Sequence, residues 1–134
     1  PQVLCPGAIE VLVYNEPETV PPPFNTRTLI RHSPQITDVR LNKEEMAEVG
    51  KEVARRLQYT KGDAVFLIPT AGYDSYAVEG MGFYDPQADA AFVEALKQGL
   101  PKNIRVVERA THIEDPAFAV EAAQMLIEMI RAKS

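Results

Sequence analysis

Both histidines of this 134-residue chain stand in short polar stretches that follow apolar runs. One stretch is Arg31-His32-Ser33-Pro34, and the other is Thr111-His112-Ile113-Glu114-Asp115-Pro116. A third stretch, Pro69-Thr70-Ala71-Gly72-Tyr73-Asp74-Ser75, combines a glycine, a carboxylate and a hydroxyl. An imidazole just ahead of a helix start can donate to an anion or shuttle a proton near neutral pH. His112 is therefore the candidate acid or base, with Asp115 as the group that orients it. Arg31 beside His32 suits an anionic group, because a guanidinium offers a planar fork of donors. Gly72 permits close backbone approach to a ligand. Asp74 and Ser75 suit contact with a ribose, a metal or a neighbouring subunit, and Glu114 completes the ligand-binding set.

Each candidate has a structural alternative. Asp115 before Pro116 is also a natural helix cap, and a cap already occupies the N–H groups that an anion would use. Arg31 can pair with one of nineteen acidic residues, and His32 can simply pack. The long loop from Pro69 to Tyr84 is a lid by one reading and an interface loop by another.

Several catalytic signatures are absent. The loop has no Gly-Lys-Ser/Thr ending and no lysine, so it is not a phosphate loop of the Walker type. It also lacks the third glycine that opens the helix in dinucleotide-binding folds. Ser75, His112 and Asp115 could make a hydrolase triad on paper, but no Gly-x-Ser-x-Gly elbow supports it. No tight ligand spacing such as His-Glu-x-x-His assigns a metal to His32, His112, Glu114 or Asp115. Cys5, the single cysteine, reads as a turn residue before Pro6-Gly7 and excludes a disulfide within the chain.

The elements that must position these residues follow from periodicity. Residues 1–25 form a Pro-rich entry segment with one short strand at Glu10–Tyr14, and Pro21-Pro22-Pro23 favours an extended polyproline path. Residues 26–134 form a single α/β domain. Thr28–Arg31 is a strand. Asn42 with Glu45 three residues on is a capping box, and Met46, Val49, Val53, Ala54 and Leu57 make the buried stripe of the helix that follows. Ala64–Ile68 is apolar throughout, as a strand covered on both faces should be. Asp85-Pro86 and Asp115-Pro116 each cap a further helix, with Ile104–Glu108 as the strand between. Phe118, Ala122, Met125, Leu126 and Met129 form the inner face of the last helix. Strands alternating with helices imply right-handed parallel crossovers. The expected architecture is a three-layer α/β domain, Rossmann-like or flavodoxin-like, with a mostly parallel sheet and helices on both faces. All three polar stretches would then emerge at the carboxyl edge of one sheet, where open α/β folds bind ligands.

Composition narrows the partners. Hydrophobic residues make up 46% and charged residues 25%, ordinary for a globular chain. A net charge of −5 argues against a duplex nucleic acid surface. No apolar run reaches membrane-spanning length, and a cytoplasmic setting is expected. The chain opens with Pro1 inside structured sequence, so a longer parent protein is expected too.

Four ordered motifs carry a family resemblance. Pro6-Gly7-Ala8, Arg31-His32-Ser33-Pro34, Phe83-Tyr84-Asp85-Pro86-Gln87-Ala88-Asp89 and His112-Ile113-Glu114-Asp115-Pro116-Ala117-Phe118-Ala119 resemble those of an uncharacterised two-domain family. The amino-terminal region of the tomato mosaic virus resistance protein belongs to that family. The resemblance implies two consecutive α/β domains, of which this chain is the second. It also implies ATP binding, with Mg²⁺, through a Gly- and Thr-containing loop on the first domain. Arg31, His32, Gly72, His112 and Asp115 would then face an inter-domain cleft. The chain departs from the family pattern at Ala71, where a basic residue is frequent, and at Glu114, where Asn is usual. Both changes make the edge more negative and disfavour phosphate unless Mg²⁺ accompanies it.

The leading expectation is thus a ligand-binding half-domain of a nucleotide-binding protein, partnered by its own first domain, by a nucleotide or other small molecule, and by further copies of itself as a homo-oligomer. The alternatives are an enzyme using His112 with Asp115, and an oligomerisation scaffold without catalysis.

Overall fold

The computed structural model describes residues 1–132. Six strands and three α-helices follow one another as β1 (Gln2–Leu4), β2 (Val11–Tyr14), β3 (Leu29–Ser33), β4 (Ile36–Arg40), α1 (Lys43–Leu57), β5 (Ala64–Pro69), α2 (Pro86–Gly99), β6 (Ile104–Arg109) and α3 (Pro116–Arg131). Short 3₁₀ turns lie at Pro17–Thr19 and Phe24–Thr26. The strands form two sheets. One is parallel, in the order β1-β5-β6; the other is antiparallel, in the order β2-β4-β3. The fold is α/β, with the βα alternation expected over its second half.

All six residues of β5 are buried, as a central parallel strand requires. Ala64, Phe66 and Ile68 enter a core with Met46 and Ala54 of α1 and Phe92, Val93 and Leu96 of α2. Successive residues point to opposite faces, so Val65 and Leu67 turn to the other side. There α3 reaches across to β1. Of the inner face expected for α3, Phe118 is buried, while Ala122, Met125, Leu126 and Met129 are less enclosed.

The helix starts form as their sequences dictate. The Asn42 side chain accepts the Glu45 N–H at 2.9 Å, and Glu45 accepts the Asn42 N–H at 2.9 Å in return. Asp85 accepts the Ala88 N–H at 3.0 Å. Gly50 lets α1 approach α2 closely, because a Cβ there would stand 2.5 Å from the Phe92 carbonyl oxygen.

Two elements differ from expectation. Residues 28–34 do not run into a loop at the parallel sheet's edge. They form β3, which turns at Pro34-Gln35 and returns as β4 in the separate antiparallel sheet. The second strand, Ile36-Thr37-Asp38-Val39-Arg40, reads as polar, yet Thr37 through Arg40 are buried between layers. The tripeptide β1 is the other addition, pairing Gln2, Val3 and Leu4 with Ala64, Val65 and Phe66. Pro21-Pro22-Pro23 turns rather than extends, with a cis bond between Pro22 and Pro23.

Candidate functional site

At the carboxyl edge of the parallel sheet three loops meet, and the first of them is Cys5–Glu10 after β1 rather than the segment after Arg31. Ala8 N–H donates to the Tyr73 carbonyl at 3.1 Å, Ile113 N–H to the Gly72 carbonyl at 3.0 Å, and Ala71 N–H to the Thr111 carbonyl at 2.9 Å. The loops are therefore laced together by backbone, with Gly72 and Tyr73 in the middle. Two residues there have unusual backbones. Gly72 has φ +138°, and a Cβ on it would press on Val78 and Ala77. Ala8 has φ +49°, a left-handed conformation that costs a non-glycine residue energy. Such conformations gather where surrounding structure must hold a site in place.

The β3–β4 hairpin closes over this edge. Between them lies a cavity of about 380 Å³ lined by Ala8, Val11, Val13, His32, Ile36, Asp38, Asp74, Ser75, Tyr76 and Glu114. Four expected ligand-binding residues come together here: His32, Asp74, Ser75 and Glu114. Asp74 is held by its own turn, its Oδ1 accepting the N–H groups of Tyr76 at 2.7 Å and Ala77 at 2.9 Å. Tyr76 OH lies 3.3 Å from His32 Nδ1, and the two rings stand edge to face at 5.9 Å.

Arg31 and His32 do not act together. Arg31 pairs with Thr37 and donates to the Pro34 carbonyl at 3.1 Å, bracing the hairpin turn. The ladder is irregular between Arg31 and Ser33, and His32 at that bulge lines the cavity instead. A bulge re-aims a side chain in this way.

His112 and Asp115 stand beside the cavity rather than in its lining. Asp115 Oδ1 accepts the Ala117 N–H at 2.8 Å and Oδ2 accepts the Thr111 hydroxyl at 2.8 Å. These bonds hold its carboxyl below the usual carboxylate range and describe a helix cap. The Nδ1 of His112 is buried and, among the described residues, has no hydrogen-bond partner.

Two acids were not among the candidates. Asp38 is 8% exposed and sits on the middle strand of the hairpin sheet between Val13 and Ile30. Burial pushes its carboxyl up, His32 opposes that shift and Asp74 reinforces it. Glu10 is wholly buried, and among the described residues its carboxyl oxygens meet no hydrogen-bond partner. Burial pushes it up to about 8, with the charge of the neighbouring Asp74 carboxyl adding to the shift, while the Arg40 charge opposes. A carboxyl raised that far favours its protonated form at neutral pH.

Behind the cavity, Arg40 ties the two sheets together. Its guanidinium donates to Phe83 O at 2.9 Å, Glu10 O at 3.3 Å and Asp89 Oδ1 at 2.6 Å. Its charge is thus engaged by Asp89 and does not line the cavity. A larger concavity of about 520 Å³ runs along α2 and β6. Lys97 is paired there with Glu108 and Asp89 with Arg40, and Glu94 also lines it. The seam cavity gathers Asp38, Asp74 and Glu114 with no lysine or arginine in its lining. It can receive hydrogen-bond donors or positive charge, and it repels a bare phosphate.

Fold and site together define an α/β domain with an acceptor-rich wall at the carboxyl edge of its sheet. The chain belongs to the uncharacterised protein family UPF0261, whose C-terminal domain matches residues 1–130. A UPF0261 protein of Clostridium tetani is 36% identical over 97% of this chain and 32% of its own length. One of Rhizobium meliloti is 41% identical over 92% of this chain and 31% of its own. The ToMV resistance protein Tm-1(GCR237) of Solanum lycopersicum is 26% identical over 96% of this chain and 17% of its own. The chain spans about a third of the length of the bacterial relatives. Among the described residues no helix is long and apolar enough to cross a membrane.

Proposed function

We propose that this domain forms one wall of a ligand cleft in a two-domain, nucleotide-binding protein. The observation that carries the reading is the seam cavity, where three laced strand-end loops and a hairpin converge on Asp74, Ser75 and Glu114. Carboxylates and a serine hydroxyl suit the donors of a ribose, as acidic residues do in other nucleotide sites. The phosphates are assigned to the first domain, since the carboxylates of this wall repel them. A homo-oligomer and a cytoplasmic setting belong to the same proposal. Val120 and Ile127, exposed on α3, support a surface for further contacts.

The test is thermal stabilisation of the full-length protein by ATP–Mg²⁺. A ligand at about a hundred times its Kd adds about 2.7 kcal/mol of stability. Ser75→Tyr, which fills the cavity from an exposed position, is expected to abolish most of that gain. Equal stabilisation of variant and parent would refute the proposal.

A second reading rests on the buried, unpartnered Nδ1 of His112. In an enzyme, that imidazole would be the acid or base, with Asp115 fixing the loop through its cap. His112→Asn would then remove turnover at an unchanged melting temperature.

A further inference from the structure

We propose that the seam cavity is a binding site for a protonated amine. This goes beyond the nucleotide reading, since it assigns a second ligand to the same wall. The cavity lining holds three carboxyl side chains, Asp38, Asp74 and Glu114, against one imidazole, His32, and no lysine or arginine. The decisive group is Asp38. It is more than nine-tenths buried and lines the cavity, and among the described residues no side chain or backbone N–H is hydrogen-bonded to its carboxyl. A carboxyl this enclosed, open only toward the cavity, gains from a donor that enters there.

The chemistry of the walls selects among donors. An anion is repelled by the carboxylates. A divalent cation needs several oxygen ligands in a fixed geometry, and no three-residue ligand set exists among the described residues. A neutral hydroxyl could supply a hydrogen bond but would leave the charge uncompensated. An ammonium supplies both, through three donors. Val11, Val13 and Ile36 offer apolar surface for its alkyl part, and Tyr76 adds an aromatic ring. Behind Asp74 lies the enclosed carboxyl of Glu10.

The experiment uses the full-length protein and n-butylammonium chloride, followed by ligand-observed NMR and thermal shift. Potassium butyrate, n-butanol and MgCl₂ are the comparison probes. Saturable binding is expected for butylammonium alone. Asp38→Asn should weaken it by roughly tenfold or more, the loss of a charged hydrogen bond, without lowering the melting temperature. Glu114→Gln, at the exposed rim, is a second variant expected to weaken binding without risk to the fold. His32→Gln should bind at least as tightly as the parent. The proposal fails if butylammonium does not saturate, if butyrate or butanol binds as well, or if MgCl₂ displaces it. It also fails if Asp38→Asn and Glu114→Gln leave the affinity unchanged. Stabilisation by ATP–Mg²⁺ on the same samples reports separately on the nucleotide reading.

Discussion

At Glu10 a carboxyl with an ordinary value near 4.5 is enclosed against Asp74 and raised to about 8. Below 4.5 it is protonated in both folded and unfolded chains. Between 4.5 and 8 only the folded chain keeps the proton, so stability falls as pH rises through that window and the penalty is complete above it. Each tenfold rise in proton affinity is worth about 1.4 kcal/mol, so the full penalty is on the order of a few kcal/mol. Asp115, Glu45 and Glu52 shift the opposite way and lose stability toward acid. Comparison with Glu10→Gln isolates the single residue. Urea denaturation should show the variant gaining on the parent from about pH 5 to about pH 8 and levelling off above that, and parallel profiles would show that Glu10 is not held protonated. Residue-scale chemistry was only half visible in the sequence. Asp74, Ser75 and Glu114 stood in loops that look like site loops. Glu10 and Asp38 did not, because an isolated acid in a polar stretch reads as surface until tertiary packing encloses it.

The elements were legible wherever a local rule decides them. The Asn42–Glu45 capping box, the two Asp-Pro helix starts and the uniformly apolar β5 all follow from residues within one turn of each other. The hairpin was not legible for the opposite reason. Strand β4 buries Thr37, Asp38 and Arg40, whose partners lie as far away as Asp89 on α2, and no short window contains that information. Its consequence for function is direct, since the hairpin separates Arg31 from His32 and brings Asp38 to the cavity. The α1–α2 contact carries a prediction of the same kind. Gly50→Ala places a methyl 2.5 Å from the Phe92 carbonyl oxygen, while Gly62→Ala meets nothing within 4 Å. Overpacking of a helix contact costs roughly 1–3 kcal/mol. Thermal denaturation should therefore show Gly50→Ala clearly destabilised and Gly62→Ala near the parent. Equal melting temperatures would mean that the helices do not approach so closely.

For the whole molecule, the two sheets behave as one body because Arg40 is bonded to β2's approach, the Phe83 loop and α2 at once. Replacing one partner of such a buried pair leaves the other charge uncompensated, which is far costlier than losing a surface ion pair. The cavity depends on that join, since one side of it belongs to each sheet. The family relatives are about three times as long as this chain, and in the proposed function the remaining residues complete a cleft against the acceptor-rich wall. Hydrogen–deuterium exchange of the full-length protein, with and without ATP–Mg²⁺, tests this most directly. Ligand binding should slow exchange in segments 5–10, 30–38, 70–78 and 110–115 together, while segment 58–63 at the opposite end of the sheet exchanges as before. Protection confined to residues outside this domain, or spread evenly over 58–63 as well, would contradict the placement of the ligand wall at the carboxyl edge.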